Sequence, residues 1–329
     1  MNHKLLLVYI TFVSLVNNLF ILPFIIPSLL YTNYFLIKYV NTYLIGLSGL
    51  LKYFYNISIY VKNKNIITDL FNSNKSKTII IQNHLSQFDF MFISSLLAEN
   101  NSYIPNIHMK LLIFISLYIA SPGFGMVCYL IDCIMISYNK VKNIKSIEKC
   151  KINNNNWLLF YPEGCVYCTT AKEKADKYCD DNKLNRMKNC IYPRFGAAEI
   201  LQKNNKVDTI YSVTTQYDTI KPSGYYHSFI NCNLPNNIYF NFDKHNINDN
   251  EISDKIVSIF RNIDNTLENN NIDFDDYSLL DKKYIELICL LFHMILFLVC
   301  CYFMYVYPVM ILYGTIITIC YYIILYFAS

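Results

Sequence analysis

Charge is scarce in this sequence. Asp, Glu, Lys and Arg supply 16% of its 329 residues against 54% for apolar ones, and both ends of the chain are nearly devoid of charge. That uneven distribution argues for membrane attachment rather than for a uniformly apolar core. The net charge of +4 is too modest to imply a nucleic-acid partner, and it is compatible with attraction to anionic lipid head groups. A disulfide framework is also lacking. The twelve cysteines show no framework spacing, and Cys289, Cys300, Cys301 and Cys320 lie in apolar runs, so free buried thiols are expected. Cys165 and Cys168 form a CVYC unit that could serve zinc or redox chemistry, but no second cysteine or histidine pair follows at zinc spacing. Neither a metal nor a cofactor is expected. No serine or cysteine motif of a covalent hydrolase is present either, so an activated nucleophile would have to come from a substrate.

What is present divides the chain into three. Residues 1–55 read as N-terminal membrane-anchoring helices: Leu5 to Leu36 is almost uncharged, longer than a signal peptide and without a small-residue cleavage site. Tyr43 to Val61 is apolar around Lys52, which suits an interfacial or re-entrant segment better than a crossing. Residues 282–329 read as a C-terminal transmembrane hairpin divided at Pro308, with Glu286 and His293 snorkelling to the head groups. Lys282 and Lys283 place the intervening domain on the cytosolic side of an internal membrane by the positive-inside tendency.

Residues 56–281 alternate strand and helix patterns. Strands are expected at Ile57 to Val61, Thr78 to Ile81, Cys133 to Tyr138, Trp157 to Tyr161, Thr209 to Thr215 and Ile238 to Phe242. Helical patterns cover Val141 to Ile152, Ala171 to Lys188 and Ala197 to Lys203. Ile252, Ile256, Ile259 and Ile263 predict a peripheral amphipathic helix. The fold class is α/β, a central mixed sheet flanked by helices.

The chemistry gathers at Thr78 to Ala98, TIIIQNHLSQFDFMFISSLLA. A β-branched run ends in Gln82, Asn83 and His84, and a helix is expected to begin near His84 with Asp89 in its first turns. An imidazole at such a strand-to-helix junction can take a proton from a hydroxyl if a carboxylate fixes its tautomer. His84 is the candidate base and Asp89 its orienter. NHLSQFD resembles the NHxxxxD motif of the glycerolipid (1-acylglycerol-3-phosphate) acyltransferases. Later stretches follow the same motif order as the branch that reacylates lysophospholipids, such as lysocardiolipin and lysophosphatidylinositol acyltransferases. SPGFG at Ser121 to Gly125 precedes a strand, LLFYPEG at Leu158 to Gly164 resembles FPEG, and YPRFG at Tyr192 to Gly196 opens a helix.

The resemblance implies a membrane-bound O-acyltransferase that moves a fatty acyl group from acyl-CoA to a lysophospholipid hydroxyl. It implies acceptor binding by Glu163, with Tyr161, Pro162 and Gly164 beside it, backbone amides near Gly164 and Tyr161 steadying the oxyanion, and Arg194 on a phosphate. Where the family carries an arginine at the end of the third strand, this chain has Tyr138, and Lys140 would replace the missing charge. A CoA-independent transacylase using the same dyad is the alternative enzyme, and a catalytically silent scaffold is the alternative that Tyr138 suggests.

Overall fold

The computed structural model describes residues 33–72, 77–86, 89–93, 95–96, 108–114, 133–152, 156–218, 234–247, 252–268, 276–281 and 284–306. Most of the expected N-terminal anchor, the SPGFG turn and the second arm of the expected hairpin lie outside these residues.

Eight strands form one mixed sheet: β1 (Ser58–Lys62), β2 (Thr78–Gln82), β3 (His108–Phe114), β4 (Ile134–Ile136), β5 (Asn156–Phe160), β6 (Thr209–Tyr217), β7 (Asn237–Asn246) and β8 (Tyr277–Leu279). Their spatial order is β4-β3-β5-β2-β6-β7-β1-β8. β2 runs parallel to both of its neighbours, β5 and β6, while β6–β7 and β1–β8 are antiparallel.

Side-chain alternation explains why the middle of this sheet is apolar on both faces. Ile80, Trp157, Leu159, Tyr211 and Val213 point into one buried cluster. Their sequence neighbours Ile79, Ile81, Leu158, Phe160 and Ile210 point into the other. The first face is covered by α1 (Asn33–Phe54), α2 (Lys64–Asn72), the short α3 (Asp89–Ile93) and the start of α8 (Tyr284–Val306). The second is covered by α4 (Lys140–Lys149), α5 (Thr169–Asp181), α6 (Gly196–Asn205) and α7 (Ile252–Glu268). Five of the side chains on α7, Ile252, Ile256, Ile259, Phe260 and Ile263, are buried there while its other face is exposed, as expected of a peripheral amphipathic helix.

The two helices nearest the chain ends pack on each other. Gly46 and Gly49 of α1 let α8 approach closely: a β-carbon at Gly49 would lie 2.8 Å from the Glu286 carbonyl oxygen. Lys52 Nζ then meets Glu286 Oε1 at 2.8 Å with both side chains out of solvent, and the Ser48 hydroxyl donates to the same oxygen at 2.8 Å. His293 is buried as well, edge-on to Tyr43. The expectation for Glu286 and His293 is therefore corrected. They do not snorkel, because the one pairs with Lys52 and the other packs on Tyr43, both on α1. Among the described residues no helix is long and apolar enough to cross a membrane. The opposite side of α8 nevertheless exposes Ile288, Leu291, Phe292, Ile295, Leu298, Val299 and Tyr302.

Several boundaries also shift. α5 stops at Asp181, seven residues short of the expected end, where Lys183 takes a left-handed φ of 55°. The helix after the histidine begins at Asp89 itself, and residues 83–86 form an extended turn. β3, β8 and α2 were not expected.

Candidate active site

Three adjacent strands in the middle of the sheet deliver the site. β2 leads into Asn83 and His84, β5 into the YPEG turn, and β6 ends at Tyr217. Asn83 locks the first of these to the third: its side-chain amide donates to the Thr215 carbonyl at 3.0 Å and its side-chain oxygen accepts the Thr215 N–H at 2.7 Å. These bonds extend the β2–β6 ladder one residue past Gln82 and bring the chain to His84 in a fixed direction.

His84 is gripped on both sides of its backbone. Its N–H donates to Glu163 Oε2 at 2.9 Å, and its carbonyl accepts the N–H of Tyr167 at 2.7 Å. Its ring stacks on that of Tyr161, with centroids 3.9 Å apart and an 18° interplanar angle. Nδ1 lies 2.9 Å from Asp89 Oδ2. That oxygen also accepts the N–H groups of Leu85 at 2.8 Å and Ser86 at 2.9 Å, which ties residues 84–86 to the carboxylate. Asp89 is completely buried, whereas 17% of the His84 side chain remains exposed. A carboxylate on Nδ1 selects the tautomer that carries its proton there and makes Nε2 the basic nitrogen. The arrangement can therefore abstract a proton from a hydroxyl that reaches Nε2.

Glu163 has a different position from the one expected. It is fully buried, and its other carboxylate oxygen accepts the Ile191 N–H at 3.2 Å. Contact with an acceptor head group is corrected to a structural clamp: the carboxylate ties the histidine loop to the segment that leads into Arg194. Asp264 of α7 continues this clamp by accepting the N–H groups of Lys188, Asn189 and Cys190. The Gly164 amide is also engaged, donating to the Tyr161 carbonyl at 3.0 Å, so it is not an open oxyanion donor. Gly164 itself has φ +73°, a backbone setting that favours glycine, and the Arg194 side chain lies over it at 3.4 Å from where a β-carbon would be. Arg194 N–H donates to the Pro162 carbonyl at 2.7 Å. The YPEG and YPRFG turns are thus one unit, and the exposed Arg194 sits against the YPEG turn rather than in α6, which starts two residues later.

Tyr161 and Tyr217 bracket the dyad. The Tyr161 hydroxyl is buried without a hydrogen-bond partner among the described residues. Burial, together with the nearby Asp89, pushes its phenol well above the ordinary value. The Tyr217 hydroxyl donates to Asp89 Oδ1, the oxygen that His84 does not use. Sequence reading missed Tyr217, since β6 offered only a strand pattern. The signal was its place at the end of that strand, four residues beyond Val213, the last to pair with β2.

Lys140 is not brought to this cluster. It opens α4 next to β4, three strands from β2, which at ordinary strand spacing is about 14 Å across the sheet. Tyr138 is 95% exposed. Cys165 is half-buried beyond Gly164, and Cys168 precedes α5, where hydrogen bonds from the Thr170 hydroxyl and the Ala171 amide lower its thiol pKa. Among the described residues no group of three or more side chains is placed to hold a metal.

A parallel-centred α/β sheet with an imidazole–carboxylate pair at the end of its central strand defines the class. Residues 58–215 match the family model described as Acyltransferase, which supports the resemblance to the glycerolipid acyltransferases. Lysocardiolipin acyltransferase 1 of Mus musculus is 23% identical over 180 residues, which cover 51% of this chain and 46% of that protein. The chain thus matches less than half the length of this relative.

Proposed function

We propose that the protein is a membrane-bound O-acyltransferase that moves a fatty acyl group from acyl-CoA to the hydroxyl of a lysophospholipid, of the lysophosphatidic acid, lysophosphatidylinositol or lysocardiolipin type. The observation that carries this reading is the His84–Asp89 pair, with Nδ1 held and the ring partly open to the surface. His84 Nε2 takes the acceptor's hydroxyl proton as the oxygen attacks the thioester carbonyl. The C–S bond breaks from the tetrahedral intermediate, and the imidazolium returns the proton to the departing CoA thiolate. Arg194, exposed against the YPEG turn, offers a planar fork of donors to an acceptor phosphate. Glu163 and Asp89 act by positioning.

Membrane attachment belongs to the same proposal. The exposed apolar side of α8 and the nearly uncharged stretches of residues 5–36 and 307–329 would sit in lipid, with the site facing the cytosolic leaflet. The deciding assay supplies labelled acyl-CoA and a panel of lysophospholipids to washed membranes containing the protein. Label entering one acceptor without added donor phospholipid is the expected result. Incorporation that requires donor phospholipid points to a CoA-independent transacylase. No transfer to any acceptor, with lipid binding retained, points to a silent scaffold.

A further inference from the structure

The hydrogen-bond chain around the dyad extends one residue beyond the pair that the acyltransfer reading uses, and on that reading we propose that Tyr217 is a positioning residue that sets the basicity of His84 through Asp89. Asp89 Oδ2 carries three donors, His84 Nδ1–H and the amides of Leu85 and Ser86. Oδ1 receives the Tyr217 hydroxyl. The Ser86 hydroxyl, fully buried, hydrogen-bonds the same phenol. Ser86, Tyr217, Asp89 and His84 therefore form one continuous chain that ends at the nitrogen opposite the substrate side.

The phenol is fixed from several directions. Tyr217 is the last residue of β6, where it pairs in register with Ile238 of β7, and Phe92 of α3 meets its ring edge-on with centroids 6.0 Å apart. Burial and the neighbouring carboxylate hold its proton well above the ordinary tyrosine range, so it remains a donor wherever His84 works as a base.

A donor on Oδ1 draws charge away from the carboxylate, and Asp89 then attracts the imidazolium less strongly. Removing that donor concentrates charge toward Nδ1–H. His84 should become easier to protonate, which depletes the neutral base at mildly acidic pH. The expected sign is therefore an upward move of the acid limb of the rate profile.

Tyr217→Phe deletes one oxygen and keeps the ring that packs on Phe92. We expect the acid limb of kcat/KM to rise by about one pH unit, so that the rate well down that limb falls on the order of tenfold, with KM for the acceptor unchanged. Ser86→Ala keeps the phenol but removes the bond that polarises it, and should move the limb in the same direction by less. An unmoved or lowered limb in a folded Tyr217→Phe protein overturns the proposal. If Tyr217→Phe fails to fold, an unmoved limb in Ser86→Ala overturns it instead. His84→Ala assayed alongside separates the layers. Activity that depends on His84 with a stationary limb in Tyr217→Phe sinks the positioning role alone, and activity that survives without His84 sinks the acyltransfer mechanism beneath it.

Discussion

His84→Ala is expected to lower acyl transfer by on the order of 10²- to 10⁴-fold, the usual cost of losing a positioned general base. The argument lies in how completely the fold commits to this imidazole. Its backbone N–H and carbonyl are both engaged by residues of the loop after β5, its ring rests on Tyr161, and its Nδ1 rests on a buried carboxylate. A side chain kept only for packing would not need its tautomer fixed. Alanine leaves the Glu163–His84 backbone bond in place, so the variant should fold, and its loss should appear in kcat rather than in expression. Washed membranes with equal amounts of both proteins and labelled acyl-CoA provide the measurement. Full transfer by the variant would remove His84 from the reaction.

Glu286→Ala should be the most damaging change for stability. Lys52 and Glu286 are 1% and 0% exposed, and truncating the acid leaves a buried ammonium without its counter-charge as well as a buried Ser48 hydroxyl without its acceptor. Breaking a buried pair from one side costs about 3–5 kcal/mol. For a domain of this size that corresponds to a melting point lower by on the order of 10 °C. Replacing both partners, Lys52→Met with Glu286→Leu, should recover most of the loss, because neither buried charge then remains. If Glu286→Ala melts within about a degree of the parent, the α1–α8 contact does not hold the chain ends together as the geometry indicates.

The sequence foretold what is local and missed what depends on distant partners. The run Ile79 to Ile81 and the polar QNH after it marked a central strand and its functional end, because β-branching and a polar stop are properties of consecutive residues. YPEG could be placed at a strand end for the same reason, but the role of its glutamate could not. A carboxylate that meets a head group and one that clamps the amides of His84 and Ile191 look identical in sequence. Lys52 and Glu286 each looked like a misfit in an apolar stretch, and only their pairing across α1 and α8 gives either a reason to be buried. The isoleucine spacing of α7 gave the apolar face correctly, yet what that face covers is set by sheet order, which periodicity does not encode. β3 was missed because HMKLLIF mixes charge with apolar residues and lacks clean alternation. Tyr217 required the β2–β6 register, and that is fixed by side chains more than a hundred positions apart.

The reacting groups hang from β2, β5 and β6, with two further strands outside them on one side of the sheet and three on the other. Thermal fraying starts at unpaired borders and travels inward, so the short outermost strands β4 and β8 should loosen well before the dyad is disturbed. Catalytic competence should then outlast the softening of the periphery and vanish only with the final cooperative melting. The backbone deuterons of residues 79–82 should be among the last to enter the chain.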